Sequence, residues 1–257
     1  MRTLSAAEIL QVWERGSSLA PAQRALTVLA AAYPELPEDT LAMLPLGARD
    51  GRLLSARAGL FGEILASFAR CPGCGEALEF SAQVADLRAG PPVDETPSAA
   101  AQAFRATLHP AGPDVQAAHL TYRLPTGGDL VALQDISEPA AFRLALAGRC
   151  VLEASLGGAA VAPGDLSDDV LAVLAAEMSA RDPQAEVLLD LTCPACGARW
   201  QTVFDIAAYF WAELAAEAKR LLREVDALAR AYGWREADIL ALSPGRRQAY
   251  LELVWTS

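Results

Sequence analysis

Apolar and polar positions alternate with a period of two in four short runs, and the runs fall into two pairs. Ile64, Ala66 and Phe68 alternate with Leu65, Ser67 and Ala69, and a few residues later Leu78, Phe80, Ala82 and Val84 alternate with Glu79, Ser81 and Gln83. Far downstream, Val187, Leu189 and Leu191 flank Leu188 and Asp190, followed by Trp200, Thr202 and Phe204 between Arg199, Gln201 and Val203. Period-two alternation on both sides of a short turn predicts a strand hairpin, so the chain carries two.

Elsewhere the period is helical. Ser5 and Glu8 have the spacing of a capping box, with Leu4 and Ile9 placed as its staple, and Ile9, Leu10 and Trp13 give this first helix an apolar side. Pro21 opens a second helix through about Tyr33, which Pro34 and Pro37 end. A turn of helix around Thr40 to Leu44 and a longer helix from Arg49 to Leu60 lead to the first hairpin. After the second hairpin, Asp205 caps the longest helix, Ile206 to Tyr232. Its apolar residues Ile206, Phe210, Leu214, Ala218, Leu221, Val225, Leu228 and Tyr232 recur every three or four positions, and Gly233 stops it. Glu236 to Leu242 forms a short helix, and Ser243-Pro244 opens the last one.

Between the hairpins the pattern first dissolves. Residues from Arg88 to about Gln116 are rich in Ala, Pro and small polar side chains and read as a long linker, with a short helix expected around Gln102 to Leu108. Leu120, Tyr122 and Leu124 then mark a strand ending at Pro125-Thr126-Gly127-Gly128, a turn that matches neither nucleotide-binding glycine motif. Helices are expected over Asp129 to Leu133 and Pro139 to Cys150, and from a Ser167 cap to about Ala180.

The candidate chemistry sits at the hairpin tips. Cys71-Pro72-Gly73-Cys74-Gly75 is written again as Cys193-Pro194-Ala195-Cys196-Gly197. The two-residue gap lets a tight turn aim both sulfurs at one point, and the following glycine supplies left-handed backbone. Two such knuckles provide four thiolates, enough to close a tetrahedral structural zinc site with no open position. The expectation is one structural Zn2+ per chain on Cys71, Cys74, Cys193 and Cys196, joining the hairpins into a ribbon. The alternatives are disulfides, which do not suit a chain without an export signal, and a thioredoxin-like pair, which needs its motif at a helix start. Cys150 reads as a small buried hydrophobe.

Composition narrows the class. Net charge is −11, and no basic cluster exceeds Arg246-Arg247, which argues against a nucleic-acid surface. No run of 18 apolar residues is present, so no transmembrane helix is expected, and a cytoplasmic location fits. His109 and His119 lack partners at ligand spacing, and no Ser/His/Asp set or paired acid–base carboxylates stand out.

Two C-P-x-C-G hairpins, the run Leu124-Pro125-Thr126-Gly127-Gly128-Asp129-Leu130, and the ending Ala231-Tyr232-Gly233-Trp234-Arg235-Glu236-Ala237-Asp238-Ile239-Leu240 occur together with the tail Leu242-Ser243-Pro244-Gly245-Arg246-Arg247-Gln248-Ala249-Tyr250-Leu251. This combination resembles bacterial proteins encoded with phage-tail-like contractile injection systems, and is similar to the baseplate hub assembly chaperone family of contractile-tailed phages. The resemblance implies assembly work at a baseplate, baseplate or hub proteins as partners, and no catalytic residues.

The fold class expected is α+β. It comprises an N-terminal helical module (1–62), a zinc ribbon (63–86 with 184–205), an insertion with a linker and a small α/β part (87–183), and a C-terminal helical module (206–257). The function expected is a non-enzymatic baseplate assembly or structural protein. A zinc-ribbon nucleic-acid regulator and a dithiol oxidoreductase are the alternatives. Trp234, Arg246, Arg247 and Tyr250 are the candidate partner contacts, since aromatic and Arg side chains anchor interfaces, although the aromatics can equally fill a local core.

Overall fold

Hydrophobic burial organises the chain around one long helix. The computed structural model describes residues 1–89, 102–109 and 117–256. Four helices open the chain: α1 (Ala6–Gly16), α2 (Pro21–Ala32), α3 (Glu38–Ala42) and α4 (Leu46–Phe61). The capping box on α1 forms as its spacing predicts, with the Glu8 N–H donating to Ser5 Oγ and the Ser5 N–H to the Glu8 carboxylate. The first hairpin follows as β1 (Ile64–Arg70) and β2 (Ala77–Gln83). The insertion contains β3 (Phe104–Leu108), β4 (Ala118–Tyr122), α5 (Gly127–Ala132), α6 (Pro139–Cys150), β5 (Val151–Leu156), β6 (Ala159–Ala160) and α7 (Asp168–Arg181). The second hairpin is β7 (Val187–Thr192) and β8 (Arg199–Phe204), and α8 (Ile206–Tyr232), α9 (Glu236–Leu240) and α10 (Pro244–Thr256) close the chain. The protein is therefore α+β. Among the described residues no helix is long and apolar enough to cross a membrane.

The α8 stripe does two jobs. Ile206, Phe210, Leu214, Ala218 and Leu221 pack into one core with α1, α2, α4 and the hairpin bases at Leu65 and Val84. Leu228, about two turns further on, packs with Ile239 and Leu251 of α9 and α10. Tyr232, expected at the end of this stripe, is exposed and stacks on Trp234, because Gly233 has already turned the chain with φ +69°.

The insertion buries a core of its own, in which Leu120 and Tyr122 of β4 meet Val170, Leu171 and Leu174 of α7. Its sheet runs in the order β3-β4-β5-β6. One expectation needs correction here. The segment expected as a short helix around Gln102 to Leu108 is strand β3, whose Phe104, Ala106 and Leu108 pair antiparallel with Tyr122, Leu120 and Ala118. Pairing with a partner strand overrides the weak local helical preference of Gln102-Ala103. Strand β5 has no clean alternation in the sequence: it follows α6 with no intervening loop, and its Leu152 is bulged out opposite Thr121/Tyr122. The remaining linker positions, 90–101 and 110–116, lie outside the described residues.

The turn at Thr126 is fastened from inside. Asp129, almost fully buried, accepts hydrogen bonds from Arg123 (2.6 and 2.8 Å), Arg149 (2.8 Å), and the N–H and hydroxyl of Thr126 (2.9 Å each). The Leu-Pro-Thr-Gly-Gly-Asp run is thus an architectural joint tying β4 to α6.

Candidate metal centre

Each knuckle is built by the backbone of its own hairpin. In the first, the Cys71 N–H donates to Glu76 O (2.9 Å) and the Gly75 N–H to Cys71 O (2.9 Å). In the second, the Cys193 N–H donates to Ala198 O (2.8 Å) and the Gly197 N–H to Cys193 O (2.9 Å). Gly75 and Gly197 take φ of +78° and +74°, the left-handed backbone that glycine adopts without a Cβ clash. The two loops therefore have the same hydrogen bonds at equivalent positions.

Tertiary structure sets these loops tip to tip. Cys71 Sγ lies 3.6 Å from Cys196 Sγ, and Cys74 Sγ lies 3.6 Å from Cys193 Sγ. All four sulfurs fall within 4.8 Å of one another. Tetrahedral zinc with Zn–S of about 2.3 Å requires sulfurs about 3.8 Å apart, so the donor set fits such an ion. These separations are far outside a disulfide bond of about 2.05 Å, and all five cysteines are free. The four cysteines can hold one metal ion.

Cys71 and Cys193, the first cysteine of each knuckle, are buried, and Cys74 and Cys196 are exposed. Leu78, Ala198 and Trp200 pack over the buried pair. Leu78 and Trp200 each stand four residues beyond the second cysteine of their knuckle, a symmetry visible in the sequence once both knuckles are aligned.

The thiols perturb one another. Burial pushes Cys71 up, but the N–H groups of Cys74 and Gly73, aided by the Cys196 and Cys193 thiols, outweigh it and lower the pKa to about 7. For Cys74 the Glu76 N–H pulls down, whereas the neighbouring thiols and burial push up, and the net result is about 12. Cys196 is also raised: the Ala198 N–H and Cys74 lower it, and Cys71, burial and Cys193 outweigh them. The Cys71 thiolate forms readily, and Cys74 and Cys196 hold their protons more tightly, because negative sulfurs this close repel one another.

The hairpins do not merge. Each remains a separate two-stranded antiparallel sheet, so they meet through the cysteine tips and the apolar core at their bases rather than through a shared ladder. Tyr209 of α8 adds a brace at the base, its hydroxyl donating to Ala66 O at 2.7 Å.

The candidate partner contacts divide. Trp234 and Tyr250 are half-buried and touch edge to face at 4.8 Å, with Tyr232 stacked on Trp234 at 4.7 Å. Arg246 is exposed, its guanidinium 5.7 Å from the Tyr250 ring centre. Arg247 is only 3% exposed; it donates to Glu224 at 2.6 Å and to Leu242 O at 3.2 Å. Its charge is engaged inside the protein, holding α10 to α8, and does not face a partner. Glu224 of α8 is buried because α10 packs over it and Arg247 bonds it.

Family models, curated proteins and solved structures were all compared with the chain, and none matches.

Proposed function

We propose that this is a non-enzymatic assembly or structural protein of a phage-tail-like contractile injection system, working at the baseplate, with one structural zinc ion on Cys71, Cys74, Cys193 and Cys196. The observation that carries the zinc assignment is the closed set of four thiols contributed by two matching knuckles. Such a donor set leaves no coordination position for a substrate, which supports a structural role. When bound, the ion supplies a cross-link between segments 119 residues apart in sequence, from Cys74 to Cys193. The Gly73 N–H orients the Cys71 sulfur, and Leu78 and Trp200 shield the buried pair Cys71 and Cys193.

The baseplate assignment rests on the resemblance carried by the knuckles, the Leu124–Leu130 run and the C-terminal segment. The acidic balance supports a protein partner over a nucleic acid.

The test has two arms. Metal analysis and thermal melting of wild type, Cys193→Ser and Cys150→Ser should find one zinc per chain, lost with stability only in Cys193→Ser. Structural zinc contributes on the order of 10 kcal/mol in small domains, more than the margin of most folds. Metal-free wild type whose melting ignores a strong chelator would refute the zinc assignment. Separately, deleting the gene should leave sheath and tube proteins without assembled baseplates in electron micrographs. Normal particles in the deletion strain would refute the baseplate role whatever the metal result.

A further inference from the structure

The two hairpins are joined at tip and base but stand apart between them. β1 and β8 form the lips of a groove of about 490 Å³, floored by Phe80, Trp200, Phe204 and Tyr209. From Ala66 to Arg70 β1 runs along it, roughly 16 Å at about 3.3 Å per residue, which is the span of a short strand.

Apart from Ala66 O, which accepts from the Tyr209 hydroxyl, both lips are open strand edges. Hydrogen bonds from the Val84 N–H to Glu63 O and from the Cys71 N–H to Glu76 O set the phase of the first ladder. Leu65, Ser67 and Ala69 therefore bond to β2, and Ala66 and Phe68 aim their N–H and C=O groups outward. The Tyr209 hydroxyl on Ala66 O agrees with that phase. In the second ladder the Cys193 N–H bonds Ala198 O, so Trp200, Thr202 and Phe204 bond to β7, and Gln201 and Val203 aim outward. Among the described residues no strand pairs with either edge. Folded proteins usually guard such edges with Lys, Pro or a covering element. Here the lips instead carry Phe68 and Val203, each more than half exposed.

Charge distinguishes the two ends. Arg70 ends β1 and Arg199 begins β8, both exposed beside the knuckles. Among the described residues neither has a carboxylate partner, although the chain carries a net charge of −11. At the opposite end the groove meets Asp205, the cap of α8.

We propose that the groove between β1 and β8 receives an extended segment of a partner protein by strand addition, apolar in its middle and acidic at the end beside the cysteine knuckles. Main-chain bonds to the two edges hold the segment, alternate side chains enter the apolar floor, and Arg70, which lines the groove beside the knuckles, meets its acidic end. This inference goes beyond the contractile-tail reading and does not depend on it.

The test is selection of a displayed random heptapeptide library on the metal-loaded full-length chain. Enriched peptides should alternate apolar residues and place Asp or Glu at one end. A selected peptide should bind about tenfold more weakly when alternate amides are N-methylated, since that removes the edge hydrogen bonds and leaves the side chains. Phe68→Asp and Val203→Asp should weaken it similarly; both side chains are exposed, so metal content and melting should stay as in wild type. Should either variant fold poorly, Arg70→Glu decides, with a matching loss for the acidic peptide alone. No enrichment, or affinity indifferent to N-methylation and to these substitutions, overturns the proposal. A concentration-dependent dimer in sedimentation that Phe68→Asp abolishes and the peptide cannot displace would also overturn it, by giving the edge to a second copy of this chain.

Discussion

Replacing Asp129 with Asn tests whether the joint at Thr126 is held by charge. The carboxylate is 1% exposed, and Arg123, which grips it with both terminal nitrogens, is 16% exposed; Arg149 is 43% exposed and contributes less because water screens it. Asn keeps the size and one acceptor, so the Thr126 N–H can stay bonded, but the paired charge is lost and Arg123 is left partly buried without a counterion. Charge-assisted hydrogen bonds are worth about 1.5–3 kcal/mol and breaking a buried pair about 3–5, so Asp129→Asn should cost about 2–4 kcal/mol in urea unfolding at pH 7. The cost should depend on pH. Burial raises the Asp129 carboxyl, but hydrogen bonds from Arg123, Arg149 and Thr126 outweigh it and hold the group well below the usual carboxylate range. With the folded pKa below the unfolded value of about 3.9, the unfolded chain takes up the proton first. The stabilisation is therefore complete above about pH 4–5 and declines as pH falls towards the folded pKa. The gap between wild type and Asp129→Asn should be about 1 kcal/mol smaller at pH 3 than at pH 7. A gap under about 0.5 kcal/mol, or one equal at both pH values, would refute the charged-joint argument.

Arg247→Ala should cost about 2–4 kcal/mol in the same assay, because it leaves Glu224 buried with only Arg220 beside it, whereas Arg246→Ala should fall within about 0.5 kcal/mol. Equal effects would contradict the burial of Arg247. Cys150 is fully buried, and burial, assisted by the Asp129 charge, pushes its thiol up to about 11. Its alkylation by iodoacetamide at pH 7.5 should therefore proceed only as the protein unfolds, read by peptide mass spectrometry against urea concentration. Labelling of the native protein at the rate of a free thiol would show that the site opens locally.

Short-range physics writes part of this structure into neighbouring residues. The Ser5–Glu8 box, the two C-P-x-C-G turns with their flanking alternation, and the α8 stripe with its Gly233 stop are all complete within a few turns of chain, and each appears in the structure. Tertiary structure decided what depends on residues far apart. β3 became a strand because β4 lies beside it, and a period-two pattern over five residues does not outvote local helical preference until that partner is present. Arg57 meets Glu213 across 156 positions, and no local spacing announces such a pair. Arg247 and Arg246 are adjacent and chemically identical, yet helix packing buries one against Glu224 and leaves the other in water. The knuckles specified four sulfurs, but only the fold brought them within 4.8 Å and left β1 and β8 as separate open edges, because strand pairing between hairpins is set by how α8 and the N-terminal helices seat their bases.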